Sequence, residues 1–297
     1  MSRFKPDSGL TRRMVLTMFL LGLLYVVFVA VLIAVGARAV VVLVIAAGFL
    51  LVQYFFSDKI ALYAMGGREV SPQEAPELHA VIDRLSALAD MPKPRVAVAD
   101  SDVPNAFATG RNQKNSVVCV TTGLLRRLDP PELEGVLAHE MSHVAHRDVA
   151  VMTIASFLGV VAGLMTRFAL YAGLGRNRDN QGGLPIGLII VLVSTIVYCV
   201  SFVLTRMLSR YRELAADRAG AYLTQRPSAL ASALTKVSGE IARIPTRDLR
   251  EAQSFNAFYF APALNRASVA SLFATHPPLE KRLEQLARIS GELGREA

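Results

Sequence analysis

Cysteine and histidine are both scarce in this sequence, and the shortage of cysteine excludes one class of protein. Cys119 and Cys199 are the only two cysteines in 297 residues, too few for a disulfide framework. Cys199 lies in a long apolar run and Cys119 does not, so we expect neither a bond between them nor a cysteine metal site. The chain also has only five histidines, and two of them, His139 and His143, stand four positions apart.

Charged residues are few as well, at 19%, and long stretches of the chain contain none. Hydrophobic residues make up 53% and the mean hydropathy is +0.39, which is too apolar for an ordinary soluble protein. The apolar residues form four blocks, each long enough to cross a bilayer as a helix, with Arg167 as the only charge. The blocks are residues 14–35, 39–56, 149–172 and 184–205.

Two other interpretations of these blocks, buried core helices and a signal peptide, are disfavoured by the length of the apolar runs. A buried core helix is one, but charge-free runs of this length favour membrane spans. The basic residues 1–13 before an apolar run also resemble a signal peptide, with a possible cleavage site at Ala37-Arg38-Ala39. The first run is too long for such a signal and a second run follows at once. The sequence therefore predicts an uncleaved membrane anchor.

The chemistry of the chain is concentrated in the motif His139-Glu140-Met141-Ser142-His143. Asp129 precedes two prolines and apolar residues then recur at helical spacing, so the motif lies on a predicted helix. His139 and His143 then share one face, with about 6 Å between their Cβ atoms. Both imidazoles can reach one zinc ion, and Glu140 beside it can take a proton from zinc-bound water.

A second predicted helix offers a carboxylate to complete the zinc site. Glu213 and Asp217 are four positions apart, with no proline or glycine before Gly220 in that stretch, so they share a face. Catalytic zinc takes three protein ligands and keeps one open position. One carboxylate can therefore be a ligand, while the other accepts the spare N–H of a ligand histidine. An exposed acidic pair among arginines is the alternative, which the histidine motif disfavours.

The predicted spans allow these residues to meet. Two spans separate His143 from Glu213, and two crossings return the chain to its starting side. Both residues lie on the order of 10 Å from the membrane surface at 1.5 Å per helical residue. Flanking basic residues favour the cytoplasm as that side. They are Arg3, Lys5, Arg12, Arg13, Arg206, Arg210 and Arg212, against Arg38, Arg176 and Arg178 on the opposite side.

The predicted fold is a mainly α integral membrane protein with four transmembrane helices and a zincin-like, gluzincin-type α+β protease domain with a small sheet. Residues 1–56 form a tail and the first hairpin, and residues 149–205 form the second. Residues 57–148 and 206–297 form the two halves of the protease domain. In the first half, residues 71–90 predict a helix, in which His79 is a surface or packing residue rather than a ligand, and residues 92–120 predict β structure.

The segment Asn105-Ala106-Phe107-Ala108 lies in a short predicted strand between Pro104 and Gly110. Proline and glycine at its ends fit the edge of a sheet better than its centre. Such a strand can be an ordinary edge strand, or it can bind an extended substrate through main-chain hydrogen bonds. The sequence leaves both possibilities open.

The two motifs together resemble the HtpX family of membrane-bound zinc proteases, relatives of the CAAX-processing and mitochondrial-stress proteases. The resemblance rests on His139–His143 followed by Arg212–Asp217, and it covers nearly the whole chain. The family pattern selects Glu213 as the third zinc ligand and leaves Asp217 to support a ligand histidine. Further matches are His146, Asp148, Asn105–Ala108 and the segment Thr275–Arg282, which contains His276.

This resemblance implies a zinc metalloendopeptidase with one Zn²⁺ per chain, acting in membrane-protein quality control under stress. It implies damaged or misfolded membrane proteins as substrates, the bacterial inner membrane as the location, and a cytoplasmic protease domain. Partners are then polypeptide substrates and the lipid bilayer. The net charge of +8 fits anionic headgroups better than nucleic acid.

Within that function, Glu140 is the expected general base and His276 a candidate oxyanion donor, or else a turn residue before Pro277. Two other functions stay open. One is a specific processing peptidase of the CAAX type. The other is a non-catalytic membrane scaffold with structural zinc, which would have no use for Glu140.

Overall fold

The computed structural model describes residues 8–34, 39–171, 186–243 and 276–296. The chain is mostly helical, with one small sheet. The helices are α1 (Ser8–Ala34), α2 (Ala39–Ala64), α3 (Pro76–Ala89), α4 (Thr122–Leu125), α5 (Pro130–Ala145), α6 (Asp148–Tyr171), α7 (Ile186–Thr224), α8 (Pro227–Arg243) and α9 (Leu279–Glu296). The strands are β1 (Gly67–Glu69), β2 (Arg95–Ala99), β3 (Ala106–Asn112) and β4 (Asn115–Thr121).

Three helices in the described part of the chain are long and apolar enough to cross a membrane. They are Ser8–Ala34, Asp148–Arg167 and Leu188–Thr224, which contain most of the first, third and fourth predicted blocks. The second block lies within α2, and a total of four spans stays a prediction. Residues 1–7 of the predicted basic tail and the loop at residues 173–183 lie outside the described residues.

The helix α1 begins earlier than expected, at Ser8 rather than residue 14. Arg12 and Arg13 are good helix formers, so the helix extends beyond the apolar run that marks its membrane part. Phe28 and Leu32 of α1 pack against Ala162 of α6 and Val197 of α7. Large apolar side chains on the outer surface of these helices stay exposed, as expected for contact with lipid.

The helix α7 runs without a break from its apolar part to the part that bears Glu213. It runs for 39 residues, because no proline or glycine occurs from Leu188 to Ala219. The fourth apolar block and Glu213 therefore lie on one continuous helix. Gly220, near its end, lets the helix pass close to α5, since an added Cβ would lie 3.0 Å from the backbone nitrogen of His139.

The sheet has strand order β1-β2-β4-β3, which places β3 at one edge. β2 and β4 are parallel, whereas β1 pairs antiparallel with β2 and β3 pairs antiparallel with β4. Ala106 lies opposite Val120, and Ala108 lies opposite Val118. The predicted edge position of this segment is therefore confirmed.

The helix α3 starts later than the sequence suggested. Ser71 and Glu74 do exchange hydrogen bonds, with the Ser71 N–H 2.7 Å from the Glu74 carboxylate, but these bonds close a turn. Helical structure begins only at Pro76, because the residue before a proline, Ala75, is kept out of the α conformation. His79 is buried, with Nε2 3.0 Å from the carbonyl oxygen of Val70, and is a packing residue as predicted.

The helix α5 starts where the sequence predicted, after Asp129, whose backbone N–H donates to the Glu132 carboxylate over 3.0 Å. Its apolar side packs into the main core, which joins the sheet to α3, α5, α8, α9 and the end of α7. Val118, Leu137, Leu230 and Leu286 are all nearly inaccessible to solvent in this core. The core thereby holds the motif helix between the sheet and the end of α7.

Candidate metal and active site

The three predicted zinc ligands converge at the contact between α5 and α7. His139, His143 and Glu213 each place one ligand atom within 4.8 Å of the others. His139 Nε2 lies 3.7 Å from Glu213 Oε2, and His143 Nε2 lies 3.4 Å from Glu213 Oε1. Ligand atoms on a tetrahedral zinc, at about 2.0–2.1 Å from the ion, are about 3.3 Å apart. The spacing and the donor set of two imidazoles and a carboxylate therefore fit a zinc ion.

The Nδ1 atom of His139 faces Asp217, as predicted. Asp217 Oδ1 lies 2.9 Å from it, and Asp217 is completely buried. Burial lowers the pKa of His139, but hydrogen bonds with Asp217 and Glu213 outweigh it, so that the pKa lies above its usual value. Arg282 donates from Nε and Nη2 to the Asp217 carboxylate over 2.7 and 2.6 Å. Arg282 thus holds the carboxylate that faces Nδ1 of His139, a predicted ligand.

The Nδ1 atom of His143 faces a second carboxylate, to which the sequence analysis gave no role. Asp148 Oδ2 lies 2.5 Å from His143 Nδ1. Arg212, only 4% exposed, forms an ion pair with this carboxylate and donates from Nη1 to the Asp148 carbonyl oxygen over 3.0 Å. Each ligand histidine therefore has its own aspartate and buried arginine. The only signals in the sequence for the contact of His143 with Asp148 and Arg212 were the family match at Asp148 and the position of Arg212 next to Glu213.

Glu140 lies beside this group and is held by the edge strand. Its Oε2 accepts the backbone N–H of Ala108 over 3.0 Å, and the residue is only 5% exposed. Burial raises the pKa of Glu140, against the opposite effects of His139 and His143. A carboxylate of raised pKa next to a metal site can accept and then release a proton.

His276 is brought to the site from the segment that precedes α9. Its Nδ1 lies 2.8 Å from Glu213 Oε2, and the residue is 6% exposed. Its Nε2 has no hydrogen-bond partner among the residues that the structure describes. Its role as an oxyanion donor stays a prediction, but it is more than a turn residue before Pro277.

The structure places three residues of the candidate substrate strand at the cavity and the fourth away from it. Ala106, Phe107 and Ala108 line a cavity of about 940 Å³, which also contains Glu140 and the predicted zinc ligands His143 and Glu213. Asn105 is completely buried and turns its backbone towards β4, with its N–H 2.8 Å from Thr121 Oγ1. The edge strand therefore faces the site through three of the four predicted residues.

These features define a class of protein, the membrane-bound metalloproteases. Three helices in the described part of the chain are long and apolar enough to cross a membrane, and a candidate metal site lies where one of them, α7, meets α5 beside the edge strand β3. The profile of Peptidase family M48 matches residues 72–290, and the chain belongs to that family.

The relatives confirm the resemblance to the HtpX proteases. The chain is 65% identical to Protease HtpX homolog 1 of Streptomyces coelicolor over 294 residues, covering 99% of this chain and 97% of that one. It is 54% identical to the Protease HtpX homolog of Moorella thermoacetica, covering 97% and 96%. The crystal structure of S. mikatae Ste24p shares the fold at a TM-score of 0.55 and 19% identity, covering 94% of this chain and 67% of that one.

Proposed function

We propose that the protein is a zinc-dependent endopeptidase of membrane-protein quality control, which hydrolyses peptide bonds in damaged or misfolded membrane proteins and in unfolded chains. The observation that carries this proposal is the convergence of His139, His143 and Glu213 beside Glu140. Three ligands and an adjoining cavity leave a position open for water and substrate, which a structural zinc site does not need. This argues against the non-catalytic scaffold.

Zinc held by these three ligands would polarise the scissile carbonyl and acidify the attacking water. Glu140 is the group that we assign to take the proton from that water and pass it to the leaving amine. The Ala108 N–H fixes Oε2, so Oε1 is the atom assigned to carry the proton. As the imidazolium, with an N–H on each ring nitrogen, His276 would donate from Nδ1 to Glu213 and from Nε2 to the oxyanion.

The edge strand β3 is the proposed binding site for the substrate main chain. Residues of an antiparallel edge strand point their backbone groups alternately towards the neighbouring strand and away from it. The Ala108 N–H points away from β4, towards Glu140, so Ala106 and Ala108 present the open side of β3. An extended substrate lying along this side would have its scissile bond close to Glu140.

We further propose four spans, with α2 as the second, and a gluzincin-type protease domain formed by residues 57–148 and 206–297. Residues 1–56 and 149–205 would be the two membrane hairpins. The unbroken helix α7 supports this division, because it leads from a membrane span directly to Glu213. The arginines that flank the spans support a bacterial inner membrane location with a cytoplasmic protease domain.

Digestion of two substrates tests the function against its alternative. Purified full-length protein in detergent should degrade unfolded casein with zinc, lose that activity with a chelator, and recover it when zinc is restored. The same preparation should cleave a prenylated C-terminal peptide no faster than its unmodified form. Cleavage of the prenylated peptide alone would instead support a CAAX-type processing peptidase.

A further inference from the structure

The cavity at the candidate active site continues into the membrane-spanning part of the molecule. It is lined along α6 from Asp148 to Arg167 and along α7 from Thr195 to Glu213. Nineteen positions separate Asp148 from Arg167, which corresponds to about 28 Å of helix. That length is close to the hydrocarbon thickness of a bilayer, about 30 Å. The two helices are in contact, with Thr205 Oγ1 donating to the Ala155 carbonyl oxygen over 3.4 Å, so this part of the cavity is a groove along the face that they share. We call the groove beyond Asp148 and Ser209 the membrane arm.

Hydroxyl groups line the membrane arm although it lies between apolar helices. Thr153 and Ser156 of α6, and Ser201 and Thr205 of α7, are among its lining residues. The lipid-facing positions of the same helices are apolar, as Ile154 at 68% and Ile196 at 58% exposure show. Most of the hydroxyl side chains in this part of the two helices, with Ser194 as an exception, therefore lie on the cavity side, among apolar residues that line it too.

These hydroxyl groups are arranged as hydrogen-bond acceptors. Ser156 donates its hydroxyl proton to the Thr153 carbonyl oxygen over 3.1 Å, and Ser201 donates to the Tyr198 carbonyl oxygen over 3.0 Å. A hydroxyl whose proton is used in this way keeps lone pairs for another donor. The lining can thus accept N–H groups from a molecule in the arm, whereas lipid acyl chains have no such groups to offer.

Among the residues that the structure describes, those that line the arm at its far end are exposed, and those near the predicted zinc ligands are buried. Thr195 and Tyr198 line it and are exposed on the lipid-facing surface, Tyr198 at 45%. At the other end the lining is formed by buried residues, among them Glu140 and His276. A chain could therefore enter this groove sideways from the bilayer, along the face that α6 and α7 share, and reach the site without first passing through water.

We propose that the membrane arm receives an unwound transmembrane segment of a membrane-protein substrate and guides it from the bilayer to the zinc site. An extended segment rises about 3.3 Å per residue, so about eight or nine residues would fill the length of the arm. Unwinding exposes backbone N–H groups, which are costly to leave without partners in hydrocarbon. The lining hydroxyls supply those partners. This inference rests on the proposed function, and it specifies that the protease takes up a membrane-spanning segment of its substrate rather than a loop outside the membrane.

The test compares the same substitution at two neighbouring residues of α7, Thr195 and Ile196. Both residues are exposed, but Thr195 lines the arm at its far end, whereas Ile196 does not line it. Thr195→Phe should block entry, and Ile196→Phe adds a similar bulk outside the arm. Each full-length variant is placed in liposomes with a single-span membrane protein whose span contains several glycines, and is assayed separately on unfolded casein.

We expect Thr195→Phe to cleave the membrane substrate at least about tenfold more slowly than Ile196→Phe, with casein digested equally by both. Equal cleavage of the membrane substrate by the two variants would overturn the proposal. If the parent protein fails to digest casein with zinc, the proposed function itself fails, which is a separate outcome.

Photocrosslinking gives a second measurement that does not depend on a bulky substitution. A benzophenone amino acid at position 195 of the zinc-loaded Glu140→Gln protein should form adducts with the substrate span. The same group at position 196 should form adducts with lipid. Lipid adducts alone from position 195 would show that acyl chains fill the arm, and would overturn the proposal.

Discussion

Nδ1 of His143 lies 2.5 Å from the carboxylate of Asp148, which is the first residue of the membrane helix α6. The other ligand histidine has a similar partner in Asp217 on α7. A zinc ligand whose second nitrogen is bound to a carboxylate is fixed in tautomer and ring orientation. The geometry of the candidate site therefore depends on how the two membrane helices meet the motif helix.

Asp148→Asn is expected to weaken zinc binding about 10–100-fold without abolishing it, the usual effect of losing such a carboxylate partner. Competition with a zinc-binding dye would measure the affinity. Arg212→Ala should act in the same direction, because Arg212 binds the Asp148 carboxylate. Arg210→Ala, two positions away on the same helix, is the matched control and should bind zinc normally. Affinity at the parent level in Asp148→Asn would remove the role assigned to this contact.

Glu213 and Asp217 should respond differently to removal. Glu213→Ala is expected to lose zinc outright, since the Glu213 carboxylate oxygens are the ones that lie opposite both histidine Nε2 atoms. Asp217→Ala should bind zinc about 10–100-fold more weakly and retain some activity. Metal analysis of the two purified variants checks this. A full site in Glu213→Ala with an empty one in Asp217→Ala would reverse the assignment.

Gly220 should tolerate no large side chain. Its added Cβ would lie 3.0 Å from the His139 nitrogen and 3.2 Å from its Cα, so Gly220→Leu should force α5 and α7 apart, lower the melting temperature and weaken zinc binding. Gly239 in α8 has nothing within 4 Å of the same position. Gly239→Ala is therefore the control, with an expected gain of about 0.5–1 kcal/mol in stability. A normal melting temperature for Gly220→Leu would contradict the close helix contact.

Cysteine labelling tests the orientation in the membrane. Burial raises the pKa of Cys119 to about 12, so this thiol should stay unreactive in the folded protein near neutral pH. In a Cys199→Ser background, a cysteine in the predicted loop at residues 173–183 should be labelled by an impermeant reagent from the periplasmic side. A cysteine at the exposed position Ser290 should be labelled only after the membrane is opened. The reverse pattern would place the protease domain outside the cytoplasm.

The parts of the site that the sequence predicted are those governed by local periodicity. Helical spacing sets His139 and His143 on one face, and proline and glycine mark the edge strand. The contact of Arg212 with Asp148 spans 64 positions, and no local pattern reports it. The membrane arm likewise depends on which faces α6 and α7 turn towards each other. The late start of α3, by contrast, could have been predicted from the sequence, because Pro76 keeps the residue before it out of the α conformation.

The most direct test of the central claim is a joint measurement of zinc content and casein hydrolysis in the full-length Glu140→Gln variant. Glu140 is assigned as a base and not a ligand, so the variant should keep one zinc per chain while hydrolysis falls by about 10²–10⁴-fold. Loss of the zinc, or hydrolysis at the parent rate, would contradict the account.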